Sequence, residues 1–160
     1  MNLRILIAAV ALAAVPSYAT TIVTFVGDPE KYTDPANERW EIQSTLDTLG
    51  TYMKRLGDRY IAPNDTLRIE VLDVDLAGWA RWGGRAPDKV RVARGGADFP
   101  AMKVRYTLES GGRTRSAEET ISDPGYLNHG ATIRSSSEPL YHEKRMLDDW
   151  FRSTFDQRSR

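Results

Sequence analysis

The sequence predicts an α+β domain in which two helices lie on one face of a mostly antiparallel sheet of four to five strands. One amphipathic helical pattern lies towards each end of the chain. Between them, several short runs alternate apolar and polar residues and are joined by turn signals, which is typical of hairpin-linked strands. The predicted order of elements is therefore β-α-β-β-β-β-α.

The first strand and the first helix are the clearest local patterns. Residues 21–26 are β-branched and apolar, which favours a strand. From Glu38 to Tyr60 the apolar residues recur every three or four positions and so form one helical stripe. Gly50 and Gly57 each lower the helix propensity by about 1 kcal/mol, so we expect them where the helix approaches the sheet closely. The stripe consists of Ile42, Leu46, Leu49, Met53, Leu56 and Tyr60.

The later elements follow from alternation and turn residues. Residues 67–71 alternate, and the phase then changes, which predicts a β-bulge near Val71. A short strand is predicted at 90–92 and a longer one at 102–108, and a Ser-Gly-Gly turn then leads to a return strand at 113–121. The last helix has an apolar side made of Leu140, Leu147, Trp150, Phe151 and Phe155.

The amino terminus has the three parts of a cleaved export signal. Arg4 precedes an uncharged apolar run from Ile5 to Val15, and Ser17-Tyr18-Ala19 places small residues where signal peptidase reads them. The run is shorter than the ~20 residues that span a bilayer. We therefore predict a signal peptide at residues 1–19 and a single domain at 20–160, periplasmic or secreted. The chain has no Cys, so this domain would have no disulfides.

The sequence contains no recognisable active site. Nucleophile elbows, phosphate-binding loops and dinucleotide fingerprints are absent, and without Cys there is no thiol nucleophile. We predict no cofactor, and we favour a non-enzymatic protein. One alternative is a metal-assisted hydrolase: Asp73 and Asp75 lie two residues apart on a strand, share a face, and could hold a hard cation. The other reading of this pair is an outer sheet face or carboxylates that satisfy loop amides.

Positive charge is concentrated in one part of a chain that is balanced overall. The chain has 22 basic and 22 acidic residues, but nine basic and three acidic residues lie between Trp79 and Arg115. Arg91 and Arg105 lie on predicted strands where basic and apolar residues alternate, which predicts one cationic sheet face. Glu70 and Glu109 or an external anion could neutralise this face, and an ordinary solvated surface is the alternative interpretation.

A segment rich in Trp, Arg and Gly precedes the basic strands and is predicted to be a loop. Trp79, Arg81, Trp82 and Arg85 could provide aromatic stacking and bidentate contacts to anions. Alternatively, both Trp side chains pack into the edge of the core.

Three runs of the sequence resemble a family of small exported bacterial proteins called domain of unknown function 3016. These runs are Asp73-Val74-Asp75-Leu76-Ala77-Gly78, residues 98–106, and residues 143–151 from Glu143-Lys144-Arg145-Met146-Leu147 to Trp150-Phe151. The resemblance extends from Thr24 to Phe155. It implies export and a single domain. It suggests neither a particular activity nor particular catalytic residues.

The combined prediction is an exported binding or envelope-associated module that uses the cationic face and the Trp/Arg loop. Its expected partner is an anionic envelope component or another envelope protein rather than nucleic acid. A third possibility is a structural assembly factor that pairs through a sheet edge.

Overall fold

Six strands and two α-helices form the domain in the computed structural model, which describes residues 18–82, 89–128 and 138–156. In chain order the elements are β1 (Thr20–Phe25), α1 (Ile42–Tyr60), β2 (Thr66–Asp75), β3 (Trp79–Trp82), β4 (Lys89–Val92), β5 (Ala101–Ser110), β6 (Arg113–Ser122) and α2 (Tyr141–Phe155). The predicted α+β class is confirmed, with both helices on one face of the main sheet.

The main sheet has the strand order β1-β2-β5-β6 and is mixed. β5 pairs antiparallel with β2 and with β6, as the hairpin signals predicted. β1 instead pairs parallel with β2. The reason is the connection between them: α1 crosses over from the end of β1 to the start of β2, and a helical crossover joins parallel strands. The predicted bulge is confirmed, because the β2–β5 register shifts between Val71 and Asp73.

β3 and β4 form a separate two-stranded hairpin. This corrects two predictions. Trp79 to Trp82 form a strand rather than a loop, and the predicted strand at 90–92 does not extend the main sheet. The sequence does not indicate this hairpin clearly, because each of its two strands has only four residues. The segment between the two strands is also rich in Gly and Pro.

α1 lies against the inner face of β1, and its two internal glycines allow the close approach. A Cβ atom at Gly57 would lie 1.8 Å from Thr21 Oγ1, and one at Gly50 would lie 3.3 Å from the ring of Phe25. The predicted role of both glycines is thus confirmed. The apolar stripe of α1 points into the core, where Leu49 and Met53 are fully buried.

α2 completes the core with a cluster of aromatic side chains. The rings of Trp150 and Phe155 meet Tyr106 of β5 edge to face, with centroids 6.0 and 5.2 Å apart. Phe151 packs against both Trp150 and Phe155 and is fully buried. In the described ranges, no helix has the length and apolar character needed to cross a membrane.

Candidate functional site

Arg91 joins the β3–β4 hairpin to the rest of the domain. Its Nη2 donates to Asp34 Oδ2 at 2.6 Å, and Nη1 donates to Asn37 Oδ1 at 3.2 Å. The same guanidinium donates to the main-chain carbonyls of Ala77, Gly78 and Leu76, which lie just before β3. A planar guanidinium with five N–H donors suits such a convergent set of acceptors.

This position corrects the expectation that Arg91 is an outward source of positive charge. Only 18% of the side chain is exposed, and Asp34 neutralises it. The alternation that suggested an outer face is real, but it belongs to the hairpin, where the face bearing Arg91 turns towards the domain.

The three runs that carry the family resemblance meet at Ala77 and Gly78. The amide of Ala77 donates to Glu143 Oε1 at 2.7 Å, and the amide of Gly78 donates to the carbonyl of Asp98 at 2.8 Å. Glu143 is only 3% exposed. Gly78 has φ +72°, and a Cβ there would lie 2.8 Å from the carbonyl oxygen of Val92, so glycine is required on both counts. These motifs therefore build the base of the hairpin.

Asp98 holds the segment that follows β4. Its carboxylate accepts the amide N–H of Arg94 at 2.9 Å and the hydroxyl of Tyr126 at 2.7 Å. Burial alone would raise the pKa of Asp98, but these hydrogen bonds outweigh it and hold the pKa below its usual value. The same hydroxyl accepts the amide N–H of Gly95. Arg94 and Gly95 are thereby fixed beside the hairpin.

Trp79 and Arg94 form an exposed surface on this fixed base. Trp79 is 51% exposed, and the guanidinium of Arg94 lies 5.2 Å from the centroid of its ring. Arg81, two residues further along β3, is also exposed. Trp82 is described only as part of the backbone of β3, and Arg85 lies outside the described residues. Of the four residues predicted for the Trp/Arg segment, the structure thus places Trp79 and Arg81 on the surface. We call Trp79, Arg81 and Arg94 the hairpin surface.

Arg105 lies on the outer face of the main sheet, apart from the hairpin. It pairs with Glu70 at 2.8 Å and Glu118 at 2.7 Å, and Lys103 pairs with Glu118 at 2.9 Å. The nearby Lys103 and Arg105 hold the pKa of Glu118 below its usual value. The predicted cationic sheet face is therefore mixed in charge. Glu70 on β2 is one of the counter-charges that the sequence suggested, whereas Glu118 on β6 was not among them.

Asp73 and Asp75 lie at the end of β2, near Asp34 and Arg91, but they have different partners. Asp73 accepts the amide and the hydroxyl of Thr33, at 2.7 and 2.6 Å. The main chain of Asp75 forms an isolated β-bridge with that of Asp34, the residue whose carboxylate pairs with Arg91. Burial raises the pKa of Asp75, and the charges of Asp34 and Asp73 raise it further, against the lowering effect of Arg91. Among the described residues, no group of three or more His, Cys, Asp or Glu could hold a metal ion.

Several residues of this region had no clear signal in the sequence. Asp34 and Asn37 lie more than fifty positions from Arg91, so no local pattern links them to it. Nothing in the sequence sets Arg94 apart from the other basic residues between Trp79 and Arg115. Trp40, which is 76% exposed, could have been noticed because it lies outside the apolar stripe of α1.

The model of the family described as Protein of unknown function (DUF3016) matches residues 19–153. The chain belongs to this family, as the resemblance of its three motifs predicted. No curated protein matches the chain.

Proposed function

We propose that this protein is an exported, non-enzymatic binding module that contacts an anionic glycan of the cell envelope through the hairpin surface. The observation that carries the proposal is the exposed Trp79 ring with the Arg94 guanidinium stacked on it, on a hairpin held by Arg91. An exposed aromatic ring on a fixed base loses little entropy when it binds, which favours its use as a contact.

Export is supported by where the described domain begins. The signal predicted from residues 1–19 would be cleaved after Ala19, and β1 starts at Thr20. The family match begins at Ala19. A periplasmic or secreted mature chain from Thr20 would therefore contain the whole sheet. An envelope location makes glycans and envelope proteins the available partners.

The chemistry of the hairpin surface favours an anionic glycan. The face of an indole ring can stack on the apolar face of a sugar, and guanidinium groups bind carboxylates and phosphates in a bidentate manner. Arg91 and Arg105 have carboxylate partners, whereas Arg81 and Arg94 have no ion pair with any described residue. Both are exposed, so they are available to an external anion at the hairpin.

The metal-assisted hydrolase using Asp73 and Asp75 remains a second proposal. Burial raises the pKa of Asp75, and the nearby carboxylates of Asp34 and Asp73 raise it further. Asp73, however, is engaged by Thr33, and Arg91 supplies the positive charge that a cation would otherwise provide. This arrangement supports a structural role better than a catalytic one.

Pairing through a sheet edge is favoured at β1 rather than at β6. Edge strands that carry inward-pointing charged residues resist pairing with another chain. Inward-pointing Glu119 of β6 accepts the indole N–H of Trp150, and Arg115 also points inward. β1, from Thr20 to Phe25, carries no charged residue.

The proposal is tested by replacing Trp79 with Ala and measuring retention on purified peptidoglycan sacculi. We expect retention to fall at least about tenfold, because exposed aromatic contacts can contribute ~2 kcal/mol to binding. Stability should change by no more than about 0.5 kcal/mol, since the side chain is half exposed. Retention of the unmodified protein should also decrease as salt rises, because the Debye length shortens.

Two control variants separate this surface from general stickiness. Trp40→Ala removes a more exposed Trp outside the hairpin, and Arg105→Gln removes an arginine that already has carboxylate partners. Both variants should be retained on the sacculi as strongly as the unmodified protein is. Equal losses in Trp40→Ala and Trp79→Ala, or retention that does not depend on Trp79, would contradict the proposal.

A further inference from the structure

A cavity lies at the end of the sheet opposite the hairpin. It has a volume of about 600 Å³ and opens where the β5–β6 turn meets the end of α2. β5 starts at Ala101, opposite Asp75 and the hairpin base, and runs for 10 residues to Ser110 at the cavity. That length corresponds to roughly 30 Å of strand. The cavity is therefore separate from the hairpin surface.

The wall of the cavity is apolar, and the guanidinium of Arg115 is fixed within it. Leu108 and Phe155 contribute to the wall. Arg115 donates from Nη2 to the carbonyl of Thr154 at 2.9 Å. Its guanidinium also lies 5.5 Å from the ring centroid of Tyr106 and 5.6 Å from that of Phe155. One main-chain bond and two aromatic rings thus hold the charge in position.

Part of this guanidinium has no partner within the described residues. Its Nε is buried, and no described atom accepts a hydrogen bond from it. No described carboxylate lies within ion-pair distance of Arg115, whereas Arg105 on the neighbouring strand pairs with two. A charge placed in apolar surroundings is costly unless an opposite charge accompanies it. The site therefore favours an external anion.

The charged residues of the described lining, Arg113, Arg115 and Asp156, carry one net positive charge. Exposed Arg113 lines the cavity as a second cation, and Asp156 is the acidic residue among its described lining. Arg145 also has a buried Nε without a partner among the described residues, but it lies in a polar cavity lined by Glu138, Asp148 and Asp149. Of these two cavities, that of Arg115 combines an apolar wall with a positive charge that has no carboxylate partner among the described residues.

We propose that this cavity binds an anionic amphiphile, with its carboxylate or phosphate head on Arg115 and its apolar chain against Leu108 and Phe155. A guanidinium attracts either head group through its positive charge and its N–H donors. Arg113 stands at the exposed rim and strengthens the attraction for the head.

The proposal is tested by isothermal titration of the purified protein with decanoate, decyl phosphate, uncharged decyl maltoside and inorganic phosphate. We expect one saturable site for at least one of the two charged amphiphiles, and much weaker binding of the maltoside and of phosphate. The tighter of the two charged heads identifies the ligand source as a fatty acid or a phosphate ester. Arg115→Met, which keeps the contact with the aromatic rings, should weaken that binding at least about tenfold.

Arg105→Met is the matched control on the outer face and should bind as the unmodified protein does. If Arg115→Met does not fold, as judged by near-ultraviolet circular dichroism, Arg113→Gln at the exposed rim should still weaken binding severalfold. Trp79→Ala should bind decanoate normally, so failure of the hairpin proposal would not affect this one. Equal binding of charged and uncharged amphiphiles, equal binding of inorganic phosphate, or binding unchanged in both the Arg115 and Arg113 variants would overturn it.

Discussion

At the scale of single residues, Asp73 and Asp75 show how neighbouring carboxylates of one strand can have opposite effects on stability. Asp73 accepts three hydrogen bonds, two from Thr33 and one from the amide of Val74. Asp75 is partly buried close to Asp34, and its pKa is raised. The folded state therefore disfavours the ionised form of Asp75.

The sign of the pH dependence follows from the raised pKa of Asp75. The folded chain binds a proton at Asp75 more readily than the unfolded chain does, so the contribution of this group to stability falls as pH rises above about 4. Asp75→Asn should therefore raise the free energy of unfolding at pH 7 and change it little at pH 3. Asp73→Asn should lower it at pH 7 by about 1–2 kcal/mol, because a hydrogen-bond acceptor is weakened.

Urea denaturation of both variants at the two pH values checks these expectations. Loss of stability at pH 7 in Asp75→Asn would contradict the electrostatic explanation. The same proteins also test the hydrolase alternative. A rise in melting temperature with millimolar Ca²⁺ or Mg²⁺, abolished in both variants, would support a metal site at this pair.

At the scale of elements, the contact between α1 and β1 depends on the absence of side chains at two positions. Gly57→Ala would place a Cβ 1.8 Å from Thr21 Oγ1, so the helix must move away from the strand. We expect this variant to lose about 2 kcal/mol of stability. Gly50→Ala is the matched control: its Cβ would meet the ring of Phe25 at 3.3 Å, and the gain in helix propensity of ~1 kcal/mol offsets that contact.

Guanidinium denaturation of both glycine variants provides the measurement. Two results would contradict the close contact between α1 and β1. One is a Gly57→Ala variant as stable as the unmodified protein, and the other is an equal loss of stability in both variants.

The elements that the sequence predicted well are those specified by local periodicity. The stripe of α1, the phase change after Val71 and the Ser-Gly-Gly turn each lie within one short stretch of chain. The parallel pairing of β1 and β2 depends on a contact across α1, which periodicity does not encode. The direction of Arg91 was mispredicted for a related reason: alternation shows that Arg91 and Val92 point to opposite sides, but not which side faces the domain.

At the scale of the whole molecule, the two surfaces proposed for binding lie at opposite ends of the sheet. The face between them carries paired charges, with Arg105 between Glu70 and Glu118. The hairpin end combines Trp79 with two available arginines, and its base is built from the three runs that carry the family resemblance. The sequence singled out Trp79 and Arg81 as candidates but left open whether Trp79 is exposed or packs into the edge of the core. It could not identify Arg94 as their neighbour, because that proximity depends on the hairpin and on Asp98.

The most direct test of the central claim is site-specific photo-cross-linking in intact cells. A benzoylphenylalanine residue is introduced in place of Trp79 and, as a control, in place of Thr120, which is exposed on the outer sheet face. The hairpin proposal predicts a covalent adduct with glycan-containing envelope material at position 79 and none at position 120. Adducts of equal yield at both positions, or no adduct at position 79 in correctly exported protein, would contradict the assignment of binding to the hairpin surface.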